Sequence, residues 1–163
     1  MPISNGHAFP GPDGIFLETR SLSRSDLVQV LEIERQGYSH PWSEGVFLDC
    51  FKDNYRLWAL CKEGGLIGYA VVAYLVDEAH LLNLCIHPDS RGFGAGRYLL
   101  QYLVDKARED GMVQVLLEVR VSNRTAEQLY KSAGFGEIGC RPGYYPAANG
   151  REDARVMTLP LDK

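Results

Sequence analysis

The chain has 163 residues, of which 45% are hydrophobic and 23% are charged, and these totals indicate one globular domain with a buried core. The net charge of −4 argues against a nucleic-acid-binding protein, which more often carries a basic patch. The cysteines and histidines form no Cys-x-x-Cys or His-Glu-x-x-His pattern, so we expect no metal site. Because no apolar run could span a membrane and no signal sequence opens the chain, we expect a soluble cytosolic protein without a membrane partner.

The start of the chain separates from the rest by composition. Residues 1–14 are rich in proline and glycine and are expected to be a disordered tail, whereas residues 15–163 are expected to form a single domain. A first strand is predicted from Ile15, followed by a helix capped at Ser23. The residues at helical spacing on one face of that helix are Leu27, Val30, Leu31 and Glu34, and three of these four are apolar.

Further elements alternate along the remaining sequence. They are predicted in this order: a short helix after Ser43, strands over 55–61, 66–76 and 79–86, a helix that ends at Gly111, a strand over 113–121, a helix capped by Asn123, and strands over 135–140 and 154–159. Residues 141–151 are expected to form a loop between the last two strands. This order predicts an α/β fold, with one mixed sheet and helices on its faces.

Three glycines alternate with other residues in the stretch Arg91-Gly-Phe-Gly-Ala-Gly96, between a predicted strand and a predicted helix. A strand, a glycine turn and a helix start direct backbone N–H groups toward one point, where an anion can bind. Neither the Walker loop nor the dinucleotide fingerprint fits, because Arg97 stands where each pattern starting at Gly92 needs its last glycine. From the residues alone, a plain strand-to-helix turn stays an open alternative.

The same stretch fits the pattern Arg/Gln-x-x-Gly-x-Gly/Ala and resembles the acyl-CoA pyrophosphate loop of the GCN5-related N-acetyltransferases (GNAT). The resemblance implies the GNAT fold, a mostly antiparallel twisted sheet of six or seven strands flanked by about four helices. It also implies acetyl-CoA as co-substrate, without a metal. The cofactor-binding residues that it implies are Leu84, Cys85, Ile86, Arg91, Gly92, Phe93, Gly94, Ala95, Gly96, Arg97 and Asn123.

Within this superfamily, the sequence resembles the bacterial ribosomal-protein alanine N-acetyltransferases (RimI type) from about residue 15 to the end. The motifs that carry this resemblance are Pro41-Trp-Ser-Glu44, Glu118-Val-Arg120, Tyr144-Tyr-Pro146 and Gly150-Arg-Glu-Asp-Ala154. The implied reaction transfers acetyl from acetyl-CoA to the N-terminal alanine of small-subunit ribosomal protein number eighteen. Another protein N-terminus, a lysine or a small amine remains open as the acceptor, and so does a non-catalytic acyl-CoA-binding module.

Two residues are candidates for proton transfer. On the pattern alone, Glu118 is equally well read as the partner of Arg120 in a surface ion pair, and Tyr130 is more readily read as a core residue. The resemblance instead implies that Glu118 accepts a proton from the amine and that Tyr130 gives a proton to the departing thiolate. Asn123 is expected both to cap its helix and to contact the cofactor, whereas the Cys85 side chain is expected only to pack.

Aromatic residues in predicted loops are candidates for binding the acceptor. The resemblance places Trp42, Tyr144 and Tyr145 beside the acceptor peptide. Neighbouring tyrosines point to opposite sides of an extended chain, so at least one of the pair is expected to pack inward. A basic residue of the substrate could meet the acids Glu44, Glu152 and Asp153, although a solvated rim is an equal alternative. The expected oligomeric state is a monomer or a weak dimer.

Overall fold

A computed structural model describes residues 7–10 and 16–161 of the chain. Within these residues, eight strands form one sheet and four α-helices flank it. In chain order the elements are β1 His7–Pro10, β2 Phe16–Ser21, α1 Leu27–Gly37, α2 Glu44–Leu48, β3 Tyr55–Lys62, β4 Gly65–Leu75, β5 Glu78–Ile86, α3 Ala95–Glu109, β6 Gln114–Arg120, α4 Arg124–Ser132, β7 Gly136–Ala147 and β8 Gly150–Pro160.

The strands lie in the order β1-β2-β3-β4-β5-β6-β8-β7. Every neighbouring pair is antiparallel except β5 and β6, which are parallel. Parallel neighbours need a long crossover, and α3 supplies it between these two strands. The predicted mixed, mostly antiparallel sheet with about four helices is therefore confirmed, although the described residues contain eight strands instead of six or seven, because β1 adds one at the edge.

Residues 7–10 were predicted to belong to a disordered tail, but they form strand β1. Residues 7–10 pair with Phe16–Thr19 of β2 in the antiparallel sense. The outer edge of β2 offers main-chain donors and acceptors that any extended segment can use, whatever its side chains. Because composition reports side chains, it did not indicate this pairing. The other residues of the predicted tail lie outside the described residues.

Two apolar clusters cover the two faces of the sheet. Along β4, Ala70 and Val72 belong to the cluster beneath α3, whereas Tyr69 and Val71 belong to the cluster beneath α1. Both faces are buried, so β3 and β4 read as continuous apolar runs instead of alternating ones. The sheet thus separates an α1 side from an α3 side.

The parallel pair β5–β6 separates before either strand ends. Its last paired residues are Leu81 and Leu117, although β5 continues to Ile86 and β6 to Arg120. A bulge at Leu82 shifts the register of β5 against β4 at the same level. Bulges bend a strand and increase its twist, so β5 turns away from β6. The two strands therefore leave an open wedge at their carboxyl ends.

The last two strands are longer than predicted. Residues 141–147 and 150–151, expected to form a loop, instead extend the β7–β8 hairpin through a register shift between Arg141 and Tyr145. Proline and glycine in this stretch suggested a break. Strand β7 lies at the sheet edge, where proline is tolerated and a bulge absorbs the extra residues.

Candidate active site

A cleft of about 1010 Å³ occupies the wedge between β5 and β6. This volume is at the upper end of the range for small-molecule sites, about 300–1,000 Å³, and suits an elongated ligand. Its walls come from the end of α1 and the loop after it, from β5 and β6, from the first turns of α3 and α4, and from the end of β7. Elements far apart in sequence meet here because the segments that follow β5 and β6 both begin at the carboxyl ends of these strands.

Strand β5 presents main-chain groups to the cleft. The Leu84 carbonyl accepts a hydrogen bond from the Tyr38 hydroxyl at 2.6 Å, and the Ile86 carbonyl accepts one from Arg91 Nε at 3.0 Å, so both carbonyls point away from β4. The N–H and C=O of one strand residue point to the same side of the strand. The N–H groups of Leu84 and Ile86 therefore also face away from β4. These groups can pair with an amide-containing ligand, as the sequence predicts.

The cysteine between these two residues has a different role. Cys85 is buried in the cluster beneath α1, and its thiol lies 3.9 Å from the Ile33 carbonyl. Burial raises the pKa of this thiol, which keeps it in the poorly nucleophilic neutral form. The structure agrees with the expectation that the Cys85 side chain serves packing.

The glycine turn leads directly into α3. Gly92 and Gly94 have φ angles of +93° and +89°, a region that side chains other than glycine rarely occupy, and Gly94 is the N-cap of the helix. The first N–H groups of a helix have no partner within the helix, and they carry the positive end of its dipole. The turn residues that line the cleft are Arg91, Gly92, Gly94, Ala95, Gly96 and Arg97.

Phe93 belongs to the same turn, but its ring does not line the cleft, so its predicted contact with the cofactor stays a prediction that only its main chain could fulfil. Its ring packs against the cluster beneath α3, and Lys62 Nζ lies 5.3 Å from the ring centre. The left-handed glycines on each side of Phe93 turn the chain so that this side chain points inward. Arg97 lines the cleft, and its guanidinium donates a hydrogen bond to Ser132 at 2.7 Å.

Glu118 lies on β6 where that strand has parted from β5, and its side chain is partly exposed in the cleft. Its Oε2 atom is 2.5 Å from Arg141 Nε, an ion pair without hydrogen-bond geometry, since Oε2 has no hydrogen-bond partner in the described part of the chain. Arg120 pairs with Glu152 instead, at 3.2 Å. The alternative prediction of a Glu118–Arg120 surface pair is therefore wrong.

Tyr130 extends from α4 into the wall of the cleft and is buried. Its ring centre lies 5.8 Å from that of Phe135. Burial raises the pKa of the Tyr130 hydroxyl well above its ordinary value, so this group stays protonated at neutral pH. The residue thus both packs in the core and lines the cleft.

Asn123 precedes α4 and caps it. Its Oδ1 atom accepts a hydrogen bond from the Ala126 N–H at 3.2 Å, and the residue also lines the cleft. The predicted helix cap is confirmed. Since Oδ1 is used by the helix, the amide nitrogen is the atom of Asn123 that can serve a ligand.

Of the three predicted acceptor-binding aromatics, two line the cleft. Trp42 forms part of the wall on the α1 side, and Tyr145 lies opposite, with its hydroxyl 3.1 Å from the Glu118 carbonyl. Tyr144 is 40% exposed and lies outside the wall. The rings of Tyr144 and Tyr145 contact each other edge to face, with centres 4.9 Å apart. They do not point to opposite sides as predicted, because the bulge in β7 interrupts the alternation.

The predicted acids fall into two groups. Glu152 accepts hydrogen bonds from the Ser122 main chain and from Arg120, which lower its pKa, and Asp153 accepts one from the Gly143 N–H at 2.9 Å. Glu152 therefore joins β8 to the end of β6, and Asp153 joins β8 to β7. Both carboxylates already have partners within the protein. Glu44 lies in the first turn of α2, beside the loop that carries Trp42.

Two polar residues stand out among the cleft residues that were not predicted as site residues. Glu34 on α1 and Asn83 on β5 are both buried, and the Asn83 amide donates to Glu34 at 2.9 Å. Glu34 had a signal in the sequence, since it was the charged member of an apolar helical stripe. Asn83 gave none, because its contacts come from α1, 49 positions away along the chain.

Comparison with known proteins decides the family. Residues 27–135 match the model of the Acetyltransferase (GNAT) family. A ribosomal protein bS18-alanine N-acetyltransferase of Escherichia coli strain K12 is 39% identical over 141 residues, covering 86% of this chain and 95% of that protein. The chain belongs to the GNAT family of acetyltransferases. A Haemophilus influenzae protein of the same name is 38% identical over 141 residues, 86% of this chain and 96% of that protein.

Solved structures agree with this GNAT assignment. The ribosomal-protein-S18-alanine N-acetyltransferase of Escherichia coli superposes with a TM-score of 0.86 at 37% identity, covering 90% of this chain and 95% of that chain. Ard1 of Thermoplasma volcanium superposes with a TM-score of 0.81 at 24% identity, covering 90% of this chain and 99% of that chain. This likeness shows a common fold. As a GNAT acetyltransferase, the enzyme uses acetyl-CoA as its acetyl donor.

The residues of the cleft fit acetyl-CoA. The turn at Gly92–Gly94 and the free N–H groups at the start of α3 suit a pyrophosphate, and Arg91 and Arg97 add positive charge nearby. The outward N–H groups of Leu84 and Ile86 suit the amides of the pantetheine arm. When bound, acetyl-CoA supplies an activated thioester to the wedge between β5 and β6.

Residues 7–10 and 16–161 contain neither a grouping of metal ligands nor a helix suited to span a membrane. No three His, Cys, Asp or Glu side chains there are grouped so that they could hold a metal ion. None of the helices in the same ranges combines the length and the apolar character that crossing a bilayer requires.

Two glycines in left-handed conformation at opposite ends of α3 test the role of the turn. Gly94→Ala and Gly111→Ala each place a side chain at a positive φ, +89° and +85°, and should each cost about 1–2 kcal/mol of stability. Only Gly94 adjoins the proposed pyrophosphate site. Calorimetric titration should show weaker acetyl-CoA binding for Gly94→Ala, about tenfold, the loss of roughly one good contact, and unchanged binding for Gly111→Ala. Equal affinities in the two variants would contradict this role.

Proposed function

We propose that this enzyme transfers the acetyl group of acetyl-CoA to the N-terminal α-amine of ribosomal protein bS18, at its first residue, alanine. The observation that carries the proposal is the 39% identity, over 95% of its length, to a protein named for that reaction. The motifs around Trp42, Glu118 and Tyr145 contribute to one cleft, as an enzyme with this acceptor requires. An enzyme acting on a ribosomal protein would work in the cytoplasm.

Glu118 is proposed to accept the proton that the amine must lose. A free α-amine has a pKa of about 8, well below that of a lysine side chain, so a carboxylate acting directly or through water suffices at neutral pH. The Arg141 guanidinium now neutralises this carboxylate. The ammonium of an incoming N-terminus carries the same charge and can take its place, and the Arg141 side chain is 59% exposed, which leaves it room to move aside.

Tyr130 is proposed to give the proton that the departing thiolate takes up. The hydroxyl stays protonated because burial raises its pKa, and it lies in the wall of the same cleft. Asn123, which caps α4 about two turns before Tyr130, holds the start of this helix against the cleft. Proton acceptor and proton donor thus come from β6 and α4, two consecutive elements along the chain.

The monomeric or weakly dimeric state and the lack of a nucleic-acid partner stay predictions.

The substrate class can be tested with synthetic peptides. We expect a peptide that starts with alanine and copies the N-terminus of bS18 to gain one acetyl group, about 42 Da, on its α-amine, a transfer to a nucleophile. Tandem mass spectrometry places the modified atom. A matched peptide with a blocked α-amine, and one with another first residue, serve as controls. Acetylation of lysine or of a small amine alone would overturn the proposal, and acetyl-CoA binding without any transfer would indicate a non-catalytic module.

Removal of the proposed base should have a pH-dependent effect. Glu118→Gln should lower kcat/KM by about 100-fold near pH 6.5, within the usual range for general-base catalysis. The loss should shrink near pH 9, because most of an α-amine with a pKa of about 8 is by then already neutral. A pH series of initial rates measures this. Glu109→Gln, at an exposed carboxylate at the end of α3, is the matched control and should leave the profile unchanged.

Removal of the proposed acid should slow the reaction at every pH below the raised pKa of Tyr130. Tyr130→Phe should lower kcat by about 100-fold while leaving acetyl-CoA affinity unchanged. The wild-type rate should not fall between pH 8 and 10, where an ordinary tyrosine with a pKa of about 10 would begin to ionise. Tyr102→Phe removes another buried hydroxyl, from α3, and should keep full activity. Full activity of Tyr130→Phe would remove this residue from the mechanism.

A further inference from the structure

Glu34 is a carboxylate in the core at the α1 side of the cleft. It is 1% exposed and accepts three hydrogen bonds, from the Trp42 N–H at 2.9 Å, the Tyr69 hydroxyl at 2.5 Å and the Asn83 amide at 2.9 Å. A buried carboxylate is costly unless such donors surround it. The three donors come from a loop and two strands, so Glu34 ties the α1 side of the cleft together.

The two polar atoms of the Asn83 side chain differ in their hydrogen bonding. Since a carboxylate can only accept, the amide nitrogen of Asn83 must face Glu34, and Oδ1 must point the other way. Asn83 is 7% exposed and lines the cleft, and Oδ1 is buried without a hydrogen-bond partner among residues 16–161. Buried carbonyl oxygens are seldom left unpaired, so this atom indicates an absent donor.

The position of Asn83 on β5 shows from which side that donor comes. Asn83 and Cys85 face α1, whereas Leu84 and Ile86 face the α3 side. The glycine turn and Tyr130, which serve acetyl-CoA and its leaving group, lie with α3 and α4. Trp42, from the proposed acceptor loop, lies with Glu34. The missing donor therefore belongs to the acceptor.

We propose that Asn83 Oδ1 accepts a hydrogen bond from an N–H of the acceptor's N-terminal residue, and that Glu34 is the positioning residue that keeps the amide in this orientation. The inference rests on the proposed function. Once an ammonium has lost one proton, the neutral amine has two N–H groups and one lone pair. An N–H held by Asn83 restricts rotation of the nitrogen, so that its lone pair stays free for the acetyl carbon.

Two substitutions remove this contact in different ways. Asn83→Leu deletes the acceptor atom at similar volume. Glu34→Gln introduces an amide that can itself donate to Asn83 Oδ1 and thereby occupy it. Each variant should raise the KM of the alanine peptide about tenfold, the order expected for one lost hydrogen bond, and should weaken peptide binding in calorimetry by the same factor. The affinity for acetyl-CoA should not change.

A third variant separates positioning from stability. Tyr69→Phe removes a different hydrogen bond from Glu34 at a fully buried residue, so it should lower the melting temperature while leaving Asn83 in place and the peptide KM unchanged. An unchanged peptide KM in Asn83→Leu would overturn the inference. So would weakened acetyl-CoA binding with normal peptide binding, because Oδ1 would then serve the pantetheine amides. Failure of the proposed function appears separately, as no acetyl gain by the wild-type enzyme, and would overturn both.

Discussion

The parting of β5 from β6 is the constraint on which the rest of the molecule depends. Two parallel strands that stayed paired to their ends would satisfy each other's main chain and leave no space between them. Here the pairing stops at Leu81 and Leu117, at the level of the bulge at Leu82. The carboxyl ends of both strands therefore border a cleft, and the main chain of β5 becomes available to a ligand.

The two faces of the sheet carry different groups of the cleft. The turn at Gly94, the helix α3 and the hydroxyl of Tyr130 lie on one side, and they suit a phosphate-containing donor and its leaving group. Glu34 and Trp42 lie on the other side, with the loop proposed to meet the acceptor. Residues from both sides line the wedge between β5 and β6. In the proposed reaction, acetyl-CoA and the acceptor would therefore reach the wedge from opposite faces of the sheet and meet beside Glu118.

Much of this was predictable from local pattern. Helical spacing, strand alternation and the cap at Asn123 predicted the order of elements, because each depends on residues a few positions apart. The motif residues near Glu118 and Tyr130 were predicted through resemblance to a family. The extension of β7 through Pro142 was not, since pairing with β8 outweighs a local preference for a turn. The inward direction of the Phe93 ring was not predictable either, because a motif specifies a segment and not the direction of each side chain.

The sequence by itself determined the fold class, the glycine turn before α3 and the family to which the chain belongs, since these are properties of contiguous segments. Only the tertiary structure decided which charges meet. Arg141 neutralises Glu118, Arg120 turns to Glu152, and Glu34 collects donors from three elements. Such pairings depend on strand register and on where strands diverge. Both are set by the packing of segments far apart in the chain, and no local pattern records them.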